Sequence, residues 1–169
     1  PELETAVEKI HARGKKAYVT VNSFAKNEEI SFAGDYAAYL HACGVDAAIV
    51  SDLGVLAAIK KAAPELDVHI STQANCTNYL TARTYHDLGA SRVVLARELT
   101  LTEIAELRAK TPAALEIECF IHGAMCMSYS GRCMISSFLT GRSGNRGACT
   151  QPCRWEYALM EKTRPGEYF

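Results

Sequence analysis

Between residues 17 and 121 the chain alternates short apolar runs with longer stretches in which apolar residues recur every three or four positions. The runs fall at 17–21, 47–50, 68–70, 93–96 and 115–121 and are rich in β-branched residues. Continuous apolar runs of this length predict strands covered on both faces, as in a parallel sheet, rather than half-exposed antiparallel ones. Between them Tyr36, Tyr39, Leu40 and Cys43 repeat at helical spacing, as do Leu53, Leu56, Ala57 and Ile59, and less cleanly Ile104, Leu107 and Arg108. These stretches are predicted to be amphipathic helices, with Cys43 on an apolar face, and a helical pattern already runs at Leu3.

One phrase occurs three times: His11-x-x-Gly14, His41-x-x-Gly44 and His86-x-x-Gly89, each followed by an apolar run. It reads as the end of a helix, a glycine stop and a strand. Glycine past the last turn adopts the left-handed conformation that ends a helix, and a histidine in that turn faces the negative end of the helix dipole. Strand and helix alternating in this way predict right-handed βαβ units in one parallel sheet. No G-x-G-x-x-G or G-x-x-x-x-G-K-[ST] pattern follows a strand, which favours a barrel over a dinucleotide-binding sheet.

A complete eight-stranded barrel takes about 250 residues. The expected fold is therefore α/β, a partial TIM-type (β/α) barrel over residues 1–122, with residues 123–169 a cysteine-rich segment and C-terminal extension of the same domain. The chain reads as a piece of a longer polypeptide. An incomplete barrel leaves two sheet edges and one apolar face unprotected, so either loops fold back over it or it forms a homo-oligomer.

The residues following the strands are polar: Asn22, then Ser51 and Asp52, then Ser71, Thr72, Gln73 and Asn75, then Arg97 and Glu98, then His122. In barrels this end of the strands carries the active site. Gln73, Arg97 and His122 are the candidate catalytic, cavity-lining residues. Taken singly, Ser51 and Asp52 also suit a helix cap, and Arg97 and Glu98 a surface ion pair.

Composition narrows the functional classes. The 169 residues are 49% hydrophobic and 22% charged with a formal charge of −1, which fits a globular chain and gives no global preference for nucleic acid or membrane. No apolar run approaches the roughly 20 residues needed to span a bilayer, so no membrane association and a cytoplasmic location are expected. Five of the seven cysteines lie within residues 119–153. In a cytosolic protein such clustering points to metal binding or catalysis before disulfides.

Cys126 and Cys133 are seven apart and Cys149 and Cys153 four apart, with glycine-rich chain between the pairs. Neither spacing is the C-x-x-C knuckle of a zinc ribbon, and an iron–sulfur cluster tolerates wider spacings. Four thiolates around one centre and four reduced, buried cysteines both remain open on spacing alone. Cys119 alternates with Glu118 and Phe120 and reads as a wall residue; Tyr129 is a candidate functional hydroxyl or a packing residue. Arg132, Arg142, Arg146 and Arg154 occur with no acidic residue between Glu118 and Glu156, which suits clustered thiolates and an anionic substrate such as RNA.

The stretch E-C-F-I-H-G-A-M-C-M-S-Y-S-G-R-C-M-I-S, followed by G-N-R-G-A-C-T-Q-P-C-R-W, closely resembles the signature of the collagenase-like peptidase U32 family. H-I-S-T-Q-A-N-C-T-N and V-V-L-A-R-E-L resemble its upstream strands, so the resemblance covers practically the whole chain. It implies an iron–sulfur protein that hydroxylates tRNA or ribosomal RNA, or a small-molecule ubiquinone precursor, without oxygen, with prephenate as oxygen donor. By position, Cys126, Cys133, Cys149 and Cys153 would hold a 4Fe-4S cluster, although some relatives draw a ligand from beyond Phe169. Two other readings stand beside it: a metal-assisted peptidase in which these cysteines bind zinc, and a folded but inactive structural piece without cofactor.

Overall fold

The computed structural model describes residues 2–123 and 125–167, and each of the five apolar runs contains a strand. In chain order the elements are α1 (Glu2–His11), β1 (Tyr18–Val21), α2 (Asn27–Ala42), β2 (Ala47–Val50), α3 (Leu53–Ala62), β3 (Asp67–Ile70), α4 (Tyr79–Asp87), β4 (Arg92–Val94), α5 (Leu101–Ala109), β5 (Glu116–Glu118) and α6 (Ile135–Thr140). The strands form one parallel sheet in the order β1-β2-β3-β4-β5. Sequential order means that every crossover moves the same way, as in a barrel wall; a doubly wound sheet reverses direction part-way. The fold is α/β, an open sheet compatible with part of a barrel. The chain divides into two compact units, residues 1–132 and 133–169.

In the first unit the helices start and stop where side chains satisfy free backbone groups. Asp52 accepts from the amide of Val55 at the start of α3 (3.0 Å), and Asn78 from that of Thr81 at the start of α4 (2.9 Å). Thr100 and Glu103 cap each other's amides at the start of α5. At the other ends Gly14, Gly44 and Gly89 take φ of 64°, 77° and 96°, the left-handed conformation that the repeated phrase predicts. His86 bonds the carbonyl of Ala90 at 3.2 Å. His11 does more than end a helix. Its Nε2 lies 2.9 Å from Asp46 Oδ2, which also accepts from the amide of Ala17 at 2.7 Å, so one carboxylate joins α1, the start of β1 and the start of β2.

The core lies between the sheet and the helices, with Leu40, Leu56, Ile59, Leu66, Val68, Ile70, Val93 and Leu115 almost fully buried. The buried face of α2 differs from the expected one: Ala33, Ala37 and Leu40 are buried, whereas Tyr36 and Tyr39 are 42% and 44% exposed. Small residues win because α2 and α3 approach closely; a Cβ on Gly34 would lie 3.4 Å from Cβ of Ala62. Arg108 also departs from the apolar stripe. Its guanidinium donates to the carbonyls of Thr111, Pro112 and Leu115, closing the loop from α5 to β5.

The sheet face away from the helices is not the bare apolar surface expected. The Tyr18 ring meets His69 edge-on with centroids 4.7 Å apart, and the Arg92 guanidinium lies 5.3 Å over the same ring. Arg92 donates to Glu116 at 2.7 Å and to Glu118 at 3.1 Å. Alternation across a register without offset sends these residues to one side, while Val19, Ala48, Val68, Val93 and Ile117 join the helix-covered core.

The second unit has few buried apolar side chains and is organised by hydrogen bonds. Ser136, 1% exposed, donates to the carbonyl of Arg142 at 2.7 Å and accepts from the amide of Thr150 at 3.1 Å. Thr140 donates to the carbonyl of Ser136, and Asn145 to that of Cys133. No helix among the described residues is long and apolar enough to cross a membrane.

Two outcomes follow from the packing. Leu40→Ala should cost about 2–5 kcal/mol in urea denaturation. Tyr39→Ala, on the exposed side of the same helix, should cost under about 1 kcal/mol. The second concerns Asp46. Burial pushes its carboxyl up, but the bonds from His11 and the Ala17 amide outweigh this and hold it below its ordinary value. A carboxylate with a lowered folded-state pKa stabilises the fold above its unfolded value, about 3.9, and loses that contribution as pH falls through the folded value. Stability measured below about pH 4 should therefore fall more steeply in the native chain than in Asp46→Asn.

Candidate functional site at the strand ends

The polar residues after the strands bond one another across strand boundaries. Ser51 Oγ donates to the carbonyl of Asn22 at 2.9 Å, and Asn22 Nδ2 donates to Ser71 Oγ at 3.2 Å. Thr72 Oγ1 donates to the carbonyl of Leu95 at 2.9 Å, and the amide of Ala96 to the carbonyl of Cys76 at 3.0 Å. After Ser71 the chain makes one 3-10 turn, Thr72–Ala74, which ends at Asn75 with φ 57°. Asn75 Nδ2 returns to the carbonyl of Gln73 at 3.1 Å, which fixes where Gln73 stands.

These ends enclose one wall of a cavity of about 210 Å³, lined by Gln73, Arg97, Phe120, His122, Met125 and Cys126 among others. Gln73, Arg97 and His122, the three residues put forward from sequence, thus share one cavity with Cys126, the first of the four candidate ligands. Gln73 Oε1 and Arg97 Nε are buried without a hydrogen-bond partner, as are Asn75 Oδ1 and Asn145 Oδ1. A buried polar atom left unsatisfied costs about 1–3 kcal/mol, so Gln73 and Arg97 are not placed in the cavity wall for the stability of the fold alone.

Arg97 and Glu98 do not form a surface ion pair with each other. Arg97 Nη1 donates to the carbonyl of Cys126 at 2.9 Å and Nη2 to that of Ser128 at 3.1 Å. Glu98 accepts from the amide of Ser130 at 2.9 Å and from its hydroxyl at 2.8 Å. Burial raises the Glu98 carboxyl, but the two bonds from Ser130 prevail and hold it below its ordinary value. Ser130 is 1% exposed with φ 39°, a left-handed conformation rare for a residue with a side chain. Sequence reasoning missed Glu98 and Ser130 as partners, since they are separated by residues 99–129 and no local pattern marks serine for positive φ.

All seven cysteines are free thiols. Cys76 is fully buried and its thiol is pushed up to about 11 by burial, while Cys119 packs against the core as a wall residue. The signature cysteines differ. In the first unit Cys126 is exposed and its Sγ accepts from the amide of Ser128 at 3.4 Å. In the second, Cys133 Sγ accepts from the amide of Ile135 at 3.4 Å and Cys149 Sγ from that of Gln151 at 3.3 Å. Each is a sulfur accepting from the amide two residues onward. Gln151, with φ 56°, turns the chain into the 3-10 turn Pro152–Arg154, which carries the exposed Cys153. Within neither unit do three or more His, Cys, Asp or Glu side chains of the described residues gather as a metal-holding group.

The family model of peptidase family U32 matches residues 1–168. The chain belongs to this family. It is 42% identical over 160 residues to tRNA hydroxylation protein P of Escherichia coli, covering 94% of this chain and 35% of that protein. It is also 41% identical over 151 residues to a 23S rRNA 5-hydroxycytidine synthase of the same organism, covering 89% of this chain and 22% of that enzyme. The chain thus spans about a third or less of these U32 relatives. A solved U32 peptidase structure shares the fold with TM-score 0.59 at 18% identity, over 70% of this chain and 50% of that one.

Replacing Gln73 tests whether its orphan carbonyl belongs to a ligand site. Gln73→Leu removes an unsatisfied acceptor at similar volume, so thermal denaturation without ligand should show stability unchanged or raised by about 1 kcal/mol. A loss beyond about 1 kcal/mol would mean that the amide serves the fold.

Proposed function

We propose that this chain is part of an RNA-hydroxylating enzyme of the U32 family, in which Cys126, Cys133, Cys149 and Cys153 hold a 4Fe-4S cluster and the cavity lined by Gln73, Arg97 and His122 receives the substrate. The observation that carries the reading is the arrangement of the sulfurs. Three of the four face a backbone amide two residues onward, the hydrogen bonding that tunes thiolate ligands of iron–sulfur centres. The donor set is four soft sulfurs, which suits such a cluster. Similarity to proteins that carry tRNA and ribosomal RNA hydroxylation in their names supports RNA as the substrate class.

When bound, the cluster would supply one-electron transfer. The residues of this chain bind and orient. Gln73, Arg97 and His122 line the cavity as polar residues, and Phe120 as an aromatic one. Arg132, Arg142, Arg146 and Arg154 supply positive charge for RNA phosphates. Prephenate, as in the family resemblance, is the proposed oxygen donor, and its carboxylates are suited to guanidinium recognition.

Metal and sulfide analysis after anaerobic purification tests the cofactor. Iron with matching sulfide is expected; stoichiometric zinc would instead favour the hydrolytic reading. Cys133→Ala should abolish iron uptake while far-ultraviolet circular dichroism stays unchanged. RNA incubated with the full-length protein and prephenate should gain the mass of one oxygen atom, and its failure to do so with a loaded cluster would refute RNA hydroxylation.

A further inference from the structure

We infer that Arg97 and Glu98 act as positioning residues for Cys126, holding the loop at 126–130 in its ligand-presenting shape before any cluster binds; this rests on the cluster reading above. The two residues lie just beyond β4, after Leu95 and Ala96, and grip the loop at three residues. The planar guanidinium of Arg97 spans the carbonyls of Cys126 and Ser128 at 2.9 and 3.1 Å. Fixing two carbonyls two residues apart with one rigid fork closes the turn in which the amide of Ser128 faces the Cys126 sulfur. Glu98 grips the next residues, accepting both the amide and the hydroxyl of Ser130.

Ser130 shows that the grip is not incidental. Its φ of 39° and ψ of 44° are unfavourable for a residue with a Cβ. Two charge-assisted bonds to one carboxylate oppose that cost and hold the conformation. The loop needs such support because it has little of its own: Cys126 and Met127 are exposed and the only secondary structure is the 3-10 turn Tyr129–Gly131. Arg97 is thereby occupied at both terminal nitrogens by the protein itself.

The test uses the full chain with Arg97→Met, Arg97→Lys, Glu98→Ala and Ser130→Ala, first without metal and then after anaerobic reconstitution with iron and sulfide. In the metal-free protein, hydrogen exchange of residues 125–131 should rise at least tenfold in Arg97→Met and Glu98→Ala while the strand amides keep their protection. After reconstitution these variants should lose iron to a chelator about 10- to 100-fold faster, the usual cost of removing a residue that orients a ligand. Their reduction potential should fall, since the amide–sulfur bond stabilises the reduced cluster. Arg97→Lys, which keeps the charge but cannot bridge both carbonyls, should lie between native and Arg97→Met. Ser130→Ala serves should Glu98→Ala fail to fold.

Unchanged exchange at residues 125–131, or unaltered iron retention and potential in loaded variants, would overturn the positioning role. If the native chain takes up no iron, the cluster reading falls separately, and the exchange measurement alone decides whether Arg97 and Glu98 hold the loop.

Discussion

Parallel pairing without offset is the constraint on which the site depends. Tyr18 pairs with Ala47, Ala47 with Asp67, His69 with Arg92 and Arg92 with Glu116, so the strands end nearly level. Level ends bring residues scattered from Asn22 to His122 to one edge, where short polar side chains reach across to the next strand. A slip of one residue in any pair would send the core residues of that strand to the open face and its polar residues into the helix layer. Helix caps and left-handed glycines matter to function because they set where each strand begins.

The same register divides the labour of the two sheet faces. One face carries small and branched apolar residues against the helices; the other carries Tyr18, His69, Arg92, Glu116 and Glu118. Arg92 is only partly exposed and its two carboxylate partners are half-exposed or more, so the pairs hold direction and register more than they add stability. Beyond the sheet, the cysteine-rich chain relies on a different kind of order. Backbone carbonyls and amides are held there by Ser136, Asn145, Arg97 and Glu98, each within its own unit, where the sheet uses apolar packing.

Much of the sheet was legible because strands buried on both faces leave continuous apolar runs, and the three glycine stops mark where helices end. The charged face was harder to see. Glu116 and Glu118 alternate with Leu115, Ile117 and Cys119, but the apolar set dominates the run and masks a period of two. On α2 the aromatic rings are the largest apolar groups, yet close helix contact selects alanine, so size misled. Gln73, Arg97 and His122 were legible as a group because strand ends converge in this architecture. The hold on Ser130 was not, since it depends on a contact distant in sequence and on a backbone conformation that serine does not advertise.

The charged open face bears on synthesis at the ribosome. A sheet wall that emerged with one bare apolar side would have to wait for later strands or recruit stray partners, the usual route from partly made domain to aggregate. Here the face away from the helices already carries its own ion pairs and a stacked cation. A wall of this kind can form as soon as its five strands are available, so charges that would weaken a core make the sheet tolerant of stepwise assembly.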